Sequence, residues 1–440
     1  MTRGAGRRPL RLTAAWALPG DAPPVAGAAV LIGADGRIAA IGPDARVPAP
    51  ADAESVACGA AILIPGLVNV HSHLELTGFE DHSPEAPFPE WISGIRRLKQ
   101  ARTGDEFREA ARRGLRDAWA GGVTTVADTG DSGAVLQALA DLGGSGTVYH
   151  EVFGPHPAQL EESLAGLRAR LTELAPLAAG RIRLGVSPHA PYSVSGPLYA
   201  RVAGLAAEEG LPLAVHVAES REESAFVTRG EGPFAEAWTA RGIPLLDDPR
   251  HCPPPTVPCT PVAWLHAHGV LGPGTLCIHA VQLDDGDIAL LADRRVSIAH
   301  CPLSNARHRH GAAPLGRLRR AGLRIGVGTD SVASVGRLDL FAAARAARAL
   351  GGLSAAETLA LATGEGARAL GLENEIGRLA PGKWGDVVAM SAAPRGVDLA
   401  PGAASEPLAE AVLAAGIGGV TLTVLGGRVV HRAVSPAAAA

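Results

Sequence analysis

The sequence predicts an α/β chain: a (β/α)8 (TIM) barrel with a small β-sandwich domain built from both chain ends. Three observations carry this. Eight apolar runs of strand length alternate with Ala/Leu/Arg-rich stretches of helical period through the middle of the chain. Short β-like segments joined by glycine turns occupy the two ends instead. Side chains able to bind a metal or move a proton recur where an apolar run stops, as at the catalytic face of a barrel.

Taken in order, Thr13–Leu18 is a mildly apolar stretch behind Arg7 and Arg8, too short for the core of a secretion signal. Ala28–Ile32 and Ile38–Gly42 flank Asp35-Gly36, a hairpin signal. Ile62–Val70 is the first apolar run of the barrel. It is followed by Val123–Asp128, Thr147–Phe153, Ile182–Ser187, Pro212–Val217, Thr275–His279, Val296–His300 and Arg324–Gly328. Phe107–Ala120, Leu160–Leu174 and Pro197–Glu208 read as intervening helices. Two connections are long, Thr77 to Ala120 after the first strand and Ser220 to Gly274 after the fifth, and both are candidates for a lid or pocket wall. Asp386–Met390 and Val420–Leu425 are strand-like again, with Gly426-Gly427 turning into Arg428–Val430. The expected division is 1–63 with 375–440 as the composite β domain and 64–374 as the barrel. A doubly wound sheet is the alternative for the middle, but no GxGxxG follows the first strand.

Composition narrows the function. The 440 residues are 47% hydrophobic and 19% charged, with a net charge of −4, which describes a globular protein without the basic footprint of a nucleic-acid binder. No window approaches a membrane span. The five cysteines, Cys58, Cys252, Cys259, Cys277 and Cys301, form no CxxC pair. That argues against a disulfide framework and for free thiols in a reducing, cytoplasmic setting. The expected partner is a small-molecule substrate, with no nucleic acid and no membrane, and a homodimer is the default assembly.

His71-Ser72-His73 ends the first run. Residues two apart on a strand point the same way, so two imidazoles project together. Alone, such a pair is weak evidence. The fifth run then ends in His216-Val217-Ala218-Glu219, the sixth in His279-Ala280 and the eighth in Gly328-Thr329-Asp330-Ser331. Each of these groups would meet the others at one mouth of a barrel, where buried polar side chains need a shared purpose.

These motifs resemble the amidohydrolase superfamily over nearly the whole chain. Pro65–His73, Ser187-Pro188-His189-Ala190-Pro191-Tyr192, His216–Glu219, His300-Cys301-Pro302-Leu303-Ser304-Asn305 and Gly328–Ser331 are similar to its cytosine deaminase and chlorohydrolase branch. The resemblance implies one divalent metal held by His71, His73, His216 and Asp330, with Glu219, His279 and Asp330 as catalytic groups. Zinc fits the histidine-rich set, with Fe2+ or Mn2+ as alternatives. Binuclear members bridge two metals with a lysine on the fourth strand. Here Ile182–Ser187 has none, and the two lysines are Lys99 and Lys383. A bridging glutamate is the remaining route to two metals, and Glu151 is the candidate.

The implied chemistry is hydrolytic deamination of an N-heterocycle. A bound cation lowers the pKa of water to about 7. Asp330 accepts the water's proton, His279 orients the water, and Glu219 protonates the ring nitrogen beside the attacked carbon. His189, Glu75, Trp91, Asn305 and Arg307 are the candidate substrate-binding residues. His189 has an alternative role supporting a metal ligand, and Trp91 one in a lid core. The run Asn305–Gly311, with His71–Leu76, is similar to aminodeoxyfutalosine deaminases, which act on a 6-aminopurine nucleoside carrying a benzoate. Arg307 or Arg309 would then meet the carboxylate. A triazine-type chlorohydrolase, an amide-cleaving enzyme of the same fold and a non-catalytic scaffold are the competing readings. The other zinc deaminase pattern, H-x-E with P-C-x-x-C, is mimicked by His73-Leu74-Glu75 and Pro258-Cys259 but lacks its second cysteine.

Overall fold

A computed structural model describes residues 7–81, 85–246, 248, 259–391 and 405–433. Cys252 and the prolines 253–255, part of the long connection after the fifth strand, lie outside the described residues. The chain divides into two compact units. One comprises Met1–Asn69, Arg116–Thr125 and Asp339–Ala440, the other Val70–Leu115 and Val126–Leu338.

The parallel sheet has eight strands in sequential order: Leu67–Ser72, Val123–Gly130, Gly146–Val152, Ile182–Pro188, Leu213–Val217, Thr275–His279, Ser297–His300 and Arg324–Val327. A parallel bridge between Ser72 and Asp330 brings the eighth strand's end back to the first, and the backbone N–H groups of Thr329 and Asp330 both donate to the His71 carbonyl at 3.0 Å. The sheet is therefore a (β/α)8 barrel, not an open doubly wound sheet. Almost every strand residue is buried, which explains why these strands read as continuous apolar runs rather than alternating ones.

The helices between strands have local causes. Ala134–Leu142 and Gly196–Glu209 each stop at a glycine in the left-handed region, Gly143 and Gly210, both at φ 64°. Ser220 caps Arg221–Arg229 by accepting from the Glu223 N–H. The first long connection is not irregular: it holds the helices Phe88–Ala101 and Gly104–Ala120. The second holds Arg221–Arg229, Pro233–Ala240 and Pro261–Ala267 among its described residues.

A second eight-stranded sheet draws on both chain ends. Its path runs Arg428–Arg432, Val420–Leu425, Val387–Met390, Ile62–Pro65, Leu10–Ala17, Val25–Ile32 and Ile38–Pro43, with Glu54–Ala57 also paired to Leu10–Ala17. Leu12, Val30, Ile32, Leu63, Val387, Leu422 and Val424 form part of its core. The apolar run Ile62–Val70 thus serves two sheets. Ile62–Pro65 pairs with Val387–Met390, and the barrel strand begins only at Leu67. Gly66 sits at the crossing, where a Cβ would lie 2.2 Å from the Thr124 hydroxyl; only a residue without a side chain lets the two backbones approach there.

Candidate metal and catalytic site

The ends of the first, fifth, sixth and eighth barrel strands bring six side chains together. His71 and His73 have ring centroids 4.8 Å apart, His71 and His216 5.0 Å, and His73 and His216 stack at 5.6 Å. Asp330 Oδ1 lies 3.7 Å from His71 Nε2 and 3.5 Å from His73 Nε2. His279 flanks His216 at 5.6 Å, and its Nε2 is 3.4 Å from Glu219 Oε1.

The donor set fits a divalent ion. Ligand atoms of His71, His73 and His216 lie within 4.8 Å of one another, as do those of His71, His279 and Asp330. Burial lowers the basicity of all three first-named imidazoles, to about 3 for His73, so their lone pairs are available without loss of a proton. Burial opposes ionisation of Asp330, yet the His71 and His73 rings outweigh it and hold its carboxyl well below the usual range. A third set, Glu151, His189 and His216, also falls within 4.8 Å. It shares His216, whose Nδ1 is turned to the His189 carbonyl at 3.3 Å, leaving one ring nitrogen for one ion.

The backbone under these groups is strained. Ala218, His279, Ala280 and Asp330 have φ values of 51°, 71°, 49° and 61°, in the left-handed region that non-glycine residues avoid. Their neighbours hold them there. Ser304 Oγ donates to Asp330 Oδ2 at 2.6 Å and the Ser331 N–H donates to Oδ1 at 2.7 Å. Such strain clusters where function needs a fixed geometry. Gly328 allows the first and eighth strands to touch, since a Cβ there would stand 2.8 Å from that of His71.

Several supports escape a sequence reading. Asp128, fully buried, accepts from Ser72 Oγ and from the Leu74 N–H, both at 2.8 Å, which fixes the turn carrying His73. Glu223 accepts from the Ala218 and Glu219 N–H groups at 2.7 and 2.9 Å and so fixes the loop that presents Glu219. The sequence signal for Glu223 was Ser220-x-x-Glu223, a helix-start pattern; its carboxylate turns past the cap to the preceding loop. Burial raises the Glu219 carboxyl, but His279 and His310 prevail and hold it at about 2.

The expected substrate contacts fare differently. His189 lies beside the metal ligands, its ring 4.9 Å from His216 and its Nδ1 2.8 Å from Ser193 Oγ. Trp91 is half-buried and rests on His308 at 4.5 Å. Glu75, expected to face the substrate, is instead turned into the protein. Lys99 Nζ donates to its Oε1 at 2.7 Å and Ser132 donates to its Oε2, because a carboxylate 1% exposed needs such partners. Asn305 is also internal, and its Oδ1 accepts from His279 Nδ1 at 2.8 Å. Arg307 points outward from a short helix to Glu85, 3.4 Å away.

Comparison with known proteins identifies the family. The model of the amidohydrolase family matches residues 62–430. The chain is 31% identical over 381 residues to 5'-deoxyadenosine deaminase of Methanothermobacter thermautotrophicus, covering 81% of this chain and 79% of the relative. It is 31% identical over 376 residues to 5-methylthioadenosine/S-adenosylhomocysteine deaminase of Moorella thermoacetica, covering 83% and 82%. Among solved structures, an adenosine deaminase from Xanthomonas campestris with bound zinc superposes with a TM-score of 0.79 at 26% identity, over 98% of this chain and 95% of that one. With the family model spanning both the barrel mouth and the strands of the second sheet, the chain belongs to the amidohydrolase family.

Proposed function

We propose that this protein is a metal-dependent aminohydrolase that removes the exocyclic 6-amino group of a purine nucleoside derivative, releasing ammonia. The observation that carries this reading is Glu219, a buried acid–base group set against His279 beside a histidine- and aspartate-lined metal site. Sequence relatives named as deaminases of 5'-modified adenosines support the purine substrate. The reading takes 64–374 as the catalytic domain and the cytoplasm as its compartment. No described helix is long and apolar enough to cross a membrane.

His71, His73, His216 and Asp330 would hold one ion, which we take to be zinc. A divalent ion there acidifies water and so supplies a nucleophile at neutral pH. The residues of the chain do the rest. Asp330 Oδ1 takes the proton from the attacking water. Glu219, ionised in the free site, gains a proton as the substrate binds and gives it to the ring nitrogen next to C6, which makes that carbon electrophilic; it regains one from the added hydroxyl as the C6 carbonyl forms. His279, its Nδ1 anchored on Asn305, holds the water in line and shares its Nε2 face with Glu219. A proton passed to the amino group then lets the C–N bond break, so one water is consumed and one ammonia leaves. His189 and Trp91 form walls of the pocket.

The test is an ammonia-coupled assay of metal-replete protein. Substrates would be adenosine, 5'-deoxyadenosine, 5'-methylthioadenosine, S-adenosylhomocysteine, aminodeoxyfutalosine, guanine, cytosine and a chlorotriazine. Ammonia from at least one 6-aminopurine nucleoside is expected, with about one divalent metal per chain and none of this turnover in Asp330→Asn, whose circular dichroism stays unchanged. Absence of ammonia from every nucleoside, or full turnover in Asp330→Asn, would sink the reading.

A further inference from the structure

The run Arg307-His308-Arg309-His310 is left without a role by the reaction just described. Its side chains sort by direction. Arg307 and Arg309 are exposed, His308 is half-buried and His310 is 3% exposed. The turn that does this closes the helix Pro302–Arg307. Arg309 takes a left-handed φ of 59°, its N–H donates to the Ala306 carbonyl at 3.1 Å, and the His310 N–H donates to the Asn305 carbonyl at 2.9 Å. That paired closure reverses the chain after a helix. Here it is built on an arginine rather than a glycine, and it swings His310 back into the barrel mouth.

His310 is held there by its backbone carbonyl and by the faces and edges of its ring. Its carbonyl accepts from Gln282 Nε2. Its ring meets the Phe88 ring edge-on at 4.5 Å and stacks on His308 at 5.5 Å. Its Nε2 stands 3.3 Å from Glu219 Oε1. That is the same carboxylate oxygen that His279 Nε2 approaches at 3.4 Å. Two imidazoles, one from the end of the sixth barrel strand and one from the loop after the seventh, therefore converge on one oxygen of Glu219, while Glu223 fixes its backbone N–H. Oε1 is the Glu219 oxygen in both contacts.

We propose that His310 is a positioning residue of the reaction: with His279 it grips Oε1 of Glu219, so that Oε2 is presented to the ring nitrogen of the substrate. Phe88, at the start of the helix Phe88–Ala101, backs the His310 ring and sets its plane. This assignment rests on the deaminase reading, and it gives the basic run a purpose that does not require a charged substrate.

Two variants and one spectrum test it. His310→Phe keeps the ring and its packing on Phe88 but removes both nitrogens, whereas His310→Gln keeps an N–H donor. For His310→Phe the expected result is a fall in kcat of about 10- to 100-fold, the usual cost of losing a partner that orients a functional group. KM, metal content and thermal midpoint stay near wild type, and His310→Gln recovers much of the kcat. Wild-type kcat in His310→Phe, or a loss confined to KM, overturns the proposal. A spectrum of protein labelled with 15N-histidine reads the contact without any substrate. The His310 Nε2 resonance, identified by its loss in His310→Phe, should move in Glu219→Ala, and an unmoved resonance also overturns the proposal. Failure of the wild-type protein to release ammonia would instead strike the deaminase reading, and the spectrum would still decide the contact.

Discussion

Glu223 shows how a residue that takes no part in the chemistry sets its terms. Its carboxyl is fully buried, and burial pushes it up to about 8 from the ordinary 4.5, against two backbone donors that favour the ion. The folded protein then keeps a proton that the unfolded chain gives up. Its stability is therefore fullest below the ordinary glutamate range and falls as pH rises towards about 8. Glu223→Gln removes that slope. Between about pH 5.5 and about pH 8.5, wild type should lose on the order of 3 kcal/mol more than the variant in urea unfolding; parallel losses would refute the assignment. The sequence made the proposed metal ligands and the Glu219 carboxylate visible because each stands at the end of an apolar run. It did not reveal Glu223, Asp128 or Ser304, since a supporting hydrogen bond depends on which loops lie side by side. Glu75 and Asn305 looked like ligand contacts for the same reason: nothing local says that Lys99 and His279 will claim them.

At the scale of elements, the helix Phe88–Ala101 is the piece that the sequence left as a long connection. It carries Phe88 and Trp91 at its start and Lys99 in its last turn. Lys99 Nζ bonds Glu75 Oε1 at 2.7 Å and Asp131 Oδ1 at 2.5 Å, tying the helix to the loops after the first two barrel strands. Glu75 is nearly inaccessible, so removing its cation strands a buried charge. Lys99→Met should lower stability by about 3 kcal/mol, as breaking one side of a buried pair does, and a calorimetric loss under about 1 kcal/mol would mean that water replaces the ammonium. The apolar run Ile62–Val70 carries a related lesson. Apolar content marks burial on both faces but not which sheet does the burying. The division falls at Gly66, whose part depends on Thr124, far along the chain.

At the scale of the molecule, alternation of eight apolar runs with helical stretches was enough to reveal the barrel, because a parallel barrel repeats one unit and each repeat is locally patterned. The second sheet was half legible. Its hairpin around Asp35-Gly36 and its last strands announce themselves through turns, but Leu10–Ala17, its central strand, is rich in alanine and weak in β-branched residues. Its place comes from partners on both sides. The proposed ligands arise from the first, fifth and eighth barrel strands, so a bound ion fastens distant parts of the ring together. Stripping it with a chelator should lower the thermal midpoint by roughly 5–10 °C, with recovery on adding Zn2+. An unchanged midpoint would remove the ion from the stability of the fold.

The bridge between Ser72 and Asp330 also dictates a schedule. During synthesis two proposed ligands emerge with the first barrel strand, a third with the fifth, and the carboxylate only with the eighth. A nascent chain therefore cannot complete its metal site before its ring of strands is made. A chain that holds the ion through all four groups has therefore closed its whole ring of strands.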